Sequence, residues 1–92
     1  MSVTYTPEAL ADLDNLLDYL ADKNPHAQMR VRARLKSCLE LLERYPQIGQ
    51  TTSRISVRRM VVSPYPYLIF YKMMENEVVI LAFRHAARKT QL

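Results

Sequence analysis

Tyr65 to Met73 and Glu77 to Phe83 are two runs of aromatic, aliphatic and β-branched residues separated by the polar break Met74-Glu75-Asn76, and no other stretch limits the fold so tightly. Together they read as a β-hairpin. Along the first strand Tyr67, Ile69, Tyr71 and Met73 alternate with Leu68, Phe70, Lys72 and Met74. Along the second, Val78, Ile80, Ala82 and Arg84 alternate with Val79, Leu81 and Phe83. Both faces are therefore largely apolar, and such a hairpin needs cover on both sides. Directly after it, Arg84-His85-Ala86-Ala87-Arg88-Lys89 restores charge abruptly.

The rest of the chain supplies cover for one side. Val3 and Tyr5 alternate with polar residues in a short opening strand, and Thr6-Pro7-Glu8 offers an N-cap, a proline at the first helical position and an early carboxylate. Leu10, Leu13, Leu17 and Leu20, with Ala9 and Leu16, recur at helical spacing and predict a helix that stops near Lys23. Asn24-Pro25 repeats the capping device and opens a second helix with the stripe Val31, Leu35, Cys38, Leu42 and Tyr45, closed by Pro46. So short a turn between amphipathic helices dictates an antiparallel pair. Gln47 to Arg54 is a polar loop holding the only glycine, Gly49, and leads into a strand over 55–62 with Ile55, Val57 and Val61 on one face. Arg59 interrupts that strand, so either a bulge lies at Arg58-Arg59 or the strand runs at a sheet edge. Ser63-Pro64-Tyr65-Pro66 turns the chain into the hairpin. The order is β-α-α-β-β-β. It predicts a single α+β domain over 1–92, with an antiparallel helical hairpin packed on one face of a small, mainly antiparallel four-stranded sheet.

Two helices cover one sheet face only, so the apolar second face of the hairpin is expected to be an open groove that a partner fills. Charge agrees with a partner of opposite sign. The net charge is +4, yet residues 1–50 hold six Lys/Arg against seven Asp/Glu, whereas 51–92 hold seven against two. The sheet half is the basic half, and its field favours an anionic partner. Asp14, Asp18 and Asp22 stand at i, i+4 intervals on the first helix, as do Arg30 with Arg34 and Arg32 with Lys36 on the second. Each row repels itself, so pairing across the hairpin or with a partner is expected unless the rows are solvated.

Other classes recede. No apolar run approaches the ~18 residues of a membrane span, and the opening MSVTYTPEAL lacks a basic start before an apolar core, so a cytoplasmic location without membrane contact is expected. One cysteine and two scattered histidines make a metal site improbable, and no cofactor is expected.

The residues resemble the RelE/ParE superfamily of bacterial toxins from type II toxin-antitoxin modules, and within it the ParE branch. The likeness runs through Ala11-Asp12-Leu13, Tyr19-Leu20, Asn24-Pro25-x-Ala27 and Leu42-x-x-Tyr45-Pro46-x-Ile48-Gly49. It continues through Arg58-Arg59-Met60-Val61-Val62, Pro66-Tyr67-Leu68-Ile69-Phe70-Tyr71, and Val78-Val79-Ile80-Leu81 with His85-x-x-Arg88. No single piece is specific; their order and spacing are. The resemblance implies a toxin neutralised by a ParD-like antitoxin in a hetero-oligomer, with DNA gyrase as the target and no sequence-specific DNA binding by this chain alone. It also implies an alternative, the ribosome-dependent mRNA cleavage of RelE-like relatives. Ala86 follows His85, where some nucleolytic relatives carry a His-Tyr pair, and this departure weighs against cleavage.

Two sets of site residues follow. Arg58, Tyr67, Tyr71, Arg84, His85 and Arg88 are the candidate partner contacts. If the chain is a nuclease, His85 as general base or acid with Arg58, Arg84 and Arg88 around the phosphate is the candidate catalytic set. A histidine held by hydrogen bonds at a strand end, and tyrosines packed in a core, are the plainer readings of His85, Tyr67 and Tyr71.

Overall fold

The computed structural model describes residues 1–87. Its elements are β1 Ser2–Tyr5, α1 Pro7–Lys23, α2 Pro25–Arg44, β2 Gln50–Thr51, β3 Arg58–Val61, β4 Tyr67–Met74 and β5 Glu77–His85. The two helices pack on a mixed five-stranded sheet of order β1-β5-β4-β3-β2, parallel between β1 and β5 and antiparallel elsewhere.

Local chemistry sets the helix ends. The Thr6 hydroxyl and the Asn24 side-chain oxygen each accept the amide three residues on, from Ala9 and Ala27, at 3.1 Å. Each such cap contributes about 1 kcal/mol. Asn24 serves twice, because its own N–H donates to the Leu20 carbonyl at 2.7 Å and closes α1. One residue thus reverses the chain and sets α1 against α2.

Val31, Leu35, Cys38 and Leu42 form the buried stripe of α2 and join Ala9, Val62, Tyr67, Ile69, Tyr71, Val78, Ile80 and Phe83 in one cluster beneath the helices. Tyr45, expected to extend that stripe, lies at the C-cap and is 56% exposed. On α1 the contacts come from Ala9, Leu13, Leu16 and Leu20, while Leu10 points outward. Burial pushes the Cys38 thiol above its ordinary range, with Arg34 drawing it partly back.

Four features differ from the sequence reading. The sheet gains a fifth strand, β2, only two residues long. The strand expected from Ile55 begins at Arg58, because Ser56 adopts φ 68° and breaks the extended backbone. The bulge lies in β5 and not at Arg58-Arg59: Phe70 pairs Ala82 and Tyr71 pairs Ile80, leaving Leu81 without an opposite residue. That extra residue reverses the alternation, so Phe83 turns to the helix side and Ala82 to the other. Finally, the outer face is closed by the chain itself. Leu68, Phe70 and Ala82 are buried there with Val57 from the β2–β3 loop, and Leu81 and Ala86 pack against them. Among the described residues, the groove expected on that face is absent from it.

Candidate partner-binding site

The mismatch in length between β1 and β5 creates the site. β1 ends at Tyr5, opposite Ile80, so β5 beyond that point has no strand neighbour on one side. Alpha-helical residues take over its backbone groups: Thr6 at the helix cap donates from its N–H to the Ile80 carbonyl (3.1 Å) and from its hydroxyl to the Leu81 carbonyl (3.2 Å). One turn and a half later, the Asp12 carboxylate accepts the Phe83 N–H at 3.1 Å. The same carboxylate oxygen binds the Arg84 guanidinium. This is the one ion pair found among the described residues; the acidic row of α1 and Arg30, Arg32 and Lys36 of α2 stand exposed without cross-hairpin bridges, and Arg34, half-buried, donates to the Ser63 carbonyl at 2.7 Å.

Between α1 and this length of β5 runs a groove of about 530 Å³, lined by Asp12, Asn15, Leu16, Tyr19, Tyr67, Phe83, Arg84 and His85. Its floor is apolar and its mouth is charged. Arg84 faces the outer side opposite Leu68 and wraps round the strand to reach Asp12, with its buried Nε left without a partner. His85 stands opposite Tyr67, and the rings meet edge to face at 5.5 Å. The His85 Nδ1 accepts the Ala87 N–H at 3.1 Å, so the neutral ring carries its proton on Nε2.

Arg58 and Tyr71 belong elsewhere. They are opposite each other on β3 and β4, and both brace the loop that follows α2. The Tyr71 hydroxyl donates to the Pro46 carbonyl and accepts the Gly49 N–H, each at 2.8 Å, while the Arg58 guanidinium donates to the Gln47 (3.2 Å) and Gly49 (2.8 Å) carbonyls. Tyr71 has no exposed surface, so it offers no direct contact to a partner and serves to hold the loop. Arg58 and His85 are separated by two strand spacings and four residues along β4, about 16 Å between backbones. Arg58 is thus set apart from Arg84 and His85, which share the groove. Arg88 lies outside the described residues.

A second surface escaped the sequence reading. Val3, Tyr5, Leu13, Leu17, Met29, Ala33 and Leu39 line a cleft of about 840 Å³ where β1 meets the helical hairpin, with Arg32, Lys36, Glu40 and Glu43 among the residues around it. Met29, 66% exposed and off the buried stripe of α2, was its one sequence signal. Burial, and then Glu43, push the Tyr5 hydroxyl above the usual tyrosine range.

The family model for the ParE toxin of type II toxin-antitoxin systems, parDE, matches residues 3–90. The chain belongs to this family. Toxin RelE2 of Caulobacter vibrioides is 40% identical over 86 residues, which cover 94% of this chain and 96% of the relative. Among solved structures, the chromosomal ParDE toxin-antitoxin system from P. aeruginosa superposes with a TM-score of 0.80 at 20% identity, over 92% of this chain and 95% of that one. The E. coli DinJ-YafQ complex gives 0.64 at 18% identity, over 98% of each chain. The chain is a type II toxin of the ParE/RelE superfamily, with the α+β architecture of these neighbours. No helix of the toxin, among the described residues, is long and apolar enough to cross a membrane.

Proposed function

We propose that this toxin acts by binding DNA gyrase, without cutting nucleic acid itself, and that a ParD-like antitoxin silences it by filling the groove between α1 and β5. The division of the candidate acid-base residues is the observation that carries the reading. Cleavage of a phosphodiester needs a proton acceptor and a free cation at one phosphate, whereas Arg58 is fixed on the Gln47 and Gly49 carbonyls two strands away from His85, and Arg84, which does stand beside the histidine, is already paired with Asp12. His85 in turn spends Nδ1 on the Ala87 amide and offers only a donor at Nε2 in its neutral form. Such a histidine presents an N–H donor to whatever enters the groove. The match to the ParE toxin model over residues 3–90 supports the same reading.

The groove suits an antitoxin segment that is apolar along one side and carries hydrogen-bond acceptors at one end: Leu16, Tyr19, Tyr67 and Phe83 offer the apolar floor, and Arg84 and His85 the N–H donors at its mouth. The neighbours solved as ParDE and DinJ-YafQ assemblies support an antitoxin as the occupant.

A second reading, mRNA cleavage, is favoured by Arg84 and His85 sharing one groove and by the name RelE2 carried by the Caulobacter relative. Purified toxin with gyrase, supercoiled DNA and ATP separates the two. Accumulation of cleaved DNA is expected; unaffected gyrase together with cut transcripts on translating ribosomes would reverse the assignment. Replacing His85 with Gln keeps a donor in the groove, so toxicity is expected to fall by less than about tenfold, the effect of one contact among many. Complete loss, with antitoxin binding and melting unchanged, points to proton transfer by His85.

A further inference from the structure

We infer that the β2–β3 loop, Thr52–Val57, is the element this toxin presses into its protein target, with Ile55 entering an apolar pocket bordered by acidic side chains. The inference rests on the reading that the toxin works by binding a protein, and it assigns that contact to a surface apart from the antitoxin groove.

Ile55 is 90% exposed, more than any other large apolar side chain among the described residues. A single exposed aliphatic residue is ordinary on a protein surface. What sets this one apart is the structure that holds it there. Ser56, immediately after it, sits at φ 68°, a left-handed conformation that costs a residue with a side chain roughly 1–2 kcal/mol. The loop that tolerates this strain is braced from within. The Thr52 hydroxyl accepts the Arg54 N–H (3.2 Å) and donates to the Val57 carbonyl (2.9 Å). Backbone bonds run from Thr52 N–H to Val57 O and from Val57 N–H to Arg54 O, each at 3.2 Å. The root is anchored as well, because Val57 is 4% exposed and packs with Phe70 and Leu68 on the outer face. Ile55 therefore stands on a fixed pedestal. Strain maintained by surrounding structure is characteristic of recognition sites, and a β-branched side chain with restricted χ1 loses little rotamer freedom when it is buried against a partner.

Charge selects the partner. The sequence contains no acidic residue between Glu43 and Glu75, while Arg44, Arg54, Arg58, Arg59 and Lys72 all fall in that interval. Arg58 is spent on loop carbonyls, but Arg54 is exposed beside Ile55, and Arg59 keeps a buried Nε without a partner. The tip is thus apolar, and the segment that carries it holds basic residues and no acidic ones. A phosphate backbone would meet the arginines and leave the isoleucine in water, whereas a protein pocket with carboxylates at its rim satisfies both. Position completes the case: the loop joins the two strands at one end of the sheet order, with β4 between them and β5, where the antitoxin groove lies.

The test uses the whole toxin, carrying Ile55→Ser or Arg54→Ser, in three assays: growth arrest on induction, DNA cleavage by purified gyrase, and binding to the cognate antitoxin. Both side chains are exposed, so melting should match the parent. Ile55→Ser is expected to require at least about tenfold more toxin for gyrase-dependent cleavage, as a central anchor does, with antitoxin affinity within about twofold. Full potency of Ile55→Ser in cleavage and growth arrest overturns the inference. So does an equal loss of antitoxin affinity, which would place the loop in that interface. If the unmodified toxin leaves gyrase untouched yet arrests growth, the gyrase assignment fails, and the growth assay alone decides the loop: loss with Ile55→Ser upholds it, retention overturns it. Tight, salt-dependent binding of duplex DNA that depends on Arg54 but not Ile55 also overturns it, in favour of a nucleic-acid contact.

Discussion

Gly49→Ala is expected to lower the stability of the toxin by about 3 kcal/mol, a melting decrease of about 12–24 °C for a chain of this size. Backbone conformation is not the reason, since Gly49 has no positive φ. Space is. A Cβ at Gly49 would meet the Tyr71 ring, 2.7 Å from Cε1 and 2.9 Å from Cζ, and the ring cannot yield. It is wholly buried in the cluster beneath the helices, and its hydroxyl is tied to Pro46 and to Gly49 itself. If the loop moves instead, the Arg58 bonds to Gln47 and Gly49 go with it, and overpacking is compounded by unsatisfied buried groups. Thermal melts of Gly49→Ala, Tyr71→Phe and the double variant test this directly. Tyr71→Phe alone leaves the Gly49 N–H and Pro46 carbonyl without their partner, at a cost of about 1–3 kcal/mol. In the double variant the closest atom is gone, so the combined loss should be smaller than the sum of the two. Additive losses would show that the loop and the ring relax independently.

The same tyrosine gives the fold an alkaline limit. Burial raises the Tyr71 hydroxyl above its ordinary range, with the Gly49 N–H bond and the Arg58 charge pulling partly back. The native state then holds this proton more tightly than the unfolded chain, whose tyrosines ionise near about pH 10. Its contribution is complete below that pH and is lost as pH rises through the higher native value. Tyr5 shifts in the same direction through burial and Glu43, so Tyr71→Phe should flatten the loss of stability above about pH 10 only in part.

Local chemistry wrote much of the fold into the sequence. Thr6-Pro7 and Asn24-Pro25 announce both helix starts because capping and a fixed proline φ act over three or four residues, and the structure places α1 and α2 where those signals stand. The hairpin was legible from its composition. Its bulge was not: Leu81 differs in no chemical respect from its neighbours, and only pairing with β4 makes it the extra residue. The closure of the outer face follows from the same long-range fact, since the bulge turns Ala82 outward beside Phe70, and Val57 arrives from a loop distant in sequence. Ile55 matched a strand pattern by hydrophobicity, yet the side chain of Thr52 competes for the Val57 carbonyl and folds the segment into a loop. At the site, the pairing of β4 with β5 brings Arg84, His85 and Tyr67 to one groove, a juxtaposition the residue types alone do not give. Asp12 was missed, as one acid among five on α1; no spacing rule distinguishes the carboxylate that will meet a strand edge 71 residues away.

Asp12→Ala is accordingly expected to do more than a surface substitution on a helix, lowering stability by about 2 kcal/mol and exposing the edge of β5. The carboxylate has two separable tasks. It accepts the Phe83 N–H, and it neutralises Arg84, whose Nε is already without a partner. Asp12 and Arg84 side chains are 25% and 23% exposed, so water screens part of the ion pair and its share is the smaller one. Asp12→Asn distinguishes the tasks, because an amide oxygen can still accept the Phe83 N–H while the charge is gone. If edge capping dominates, Asn restores most of the stability lost in Ala, and hydrogen exchange at Phe83 remains slow in Asn but becomes fast in Ala. Equal losses in both variants would make the ion pair the principal contribution, and Arg84→Met should then be additive with neither. Self-association gives an independent readout: an uncovered edge beyond β1 is a template for strand pairing, so Asp12→Ala, but not Asp12→Asn, should form concentration-dependent oligomers in sedimentation. The antitoxin should abolish them if it occupies the groove beside that edge, and would leave them intact if it binds only at the cleft between β1 and the helices.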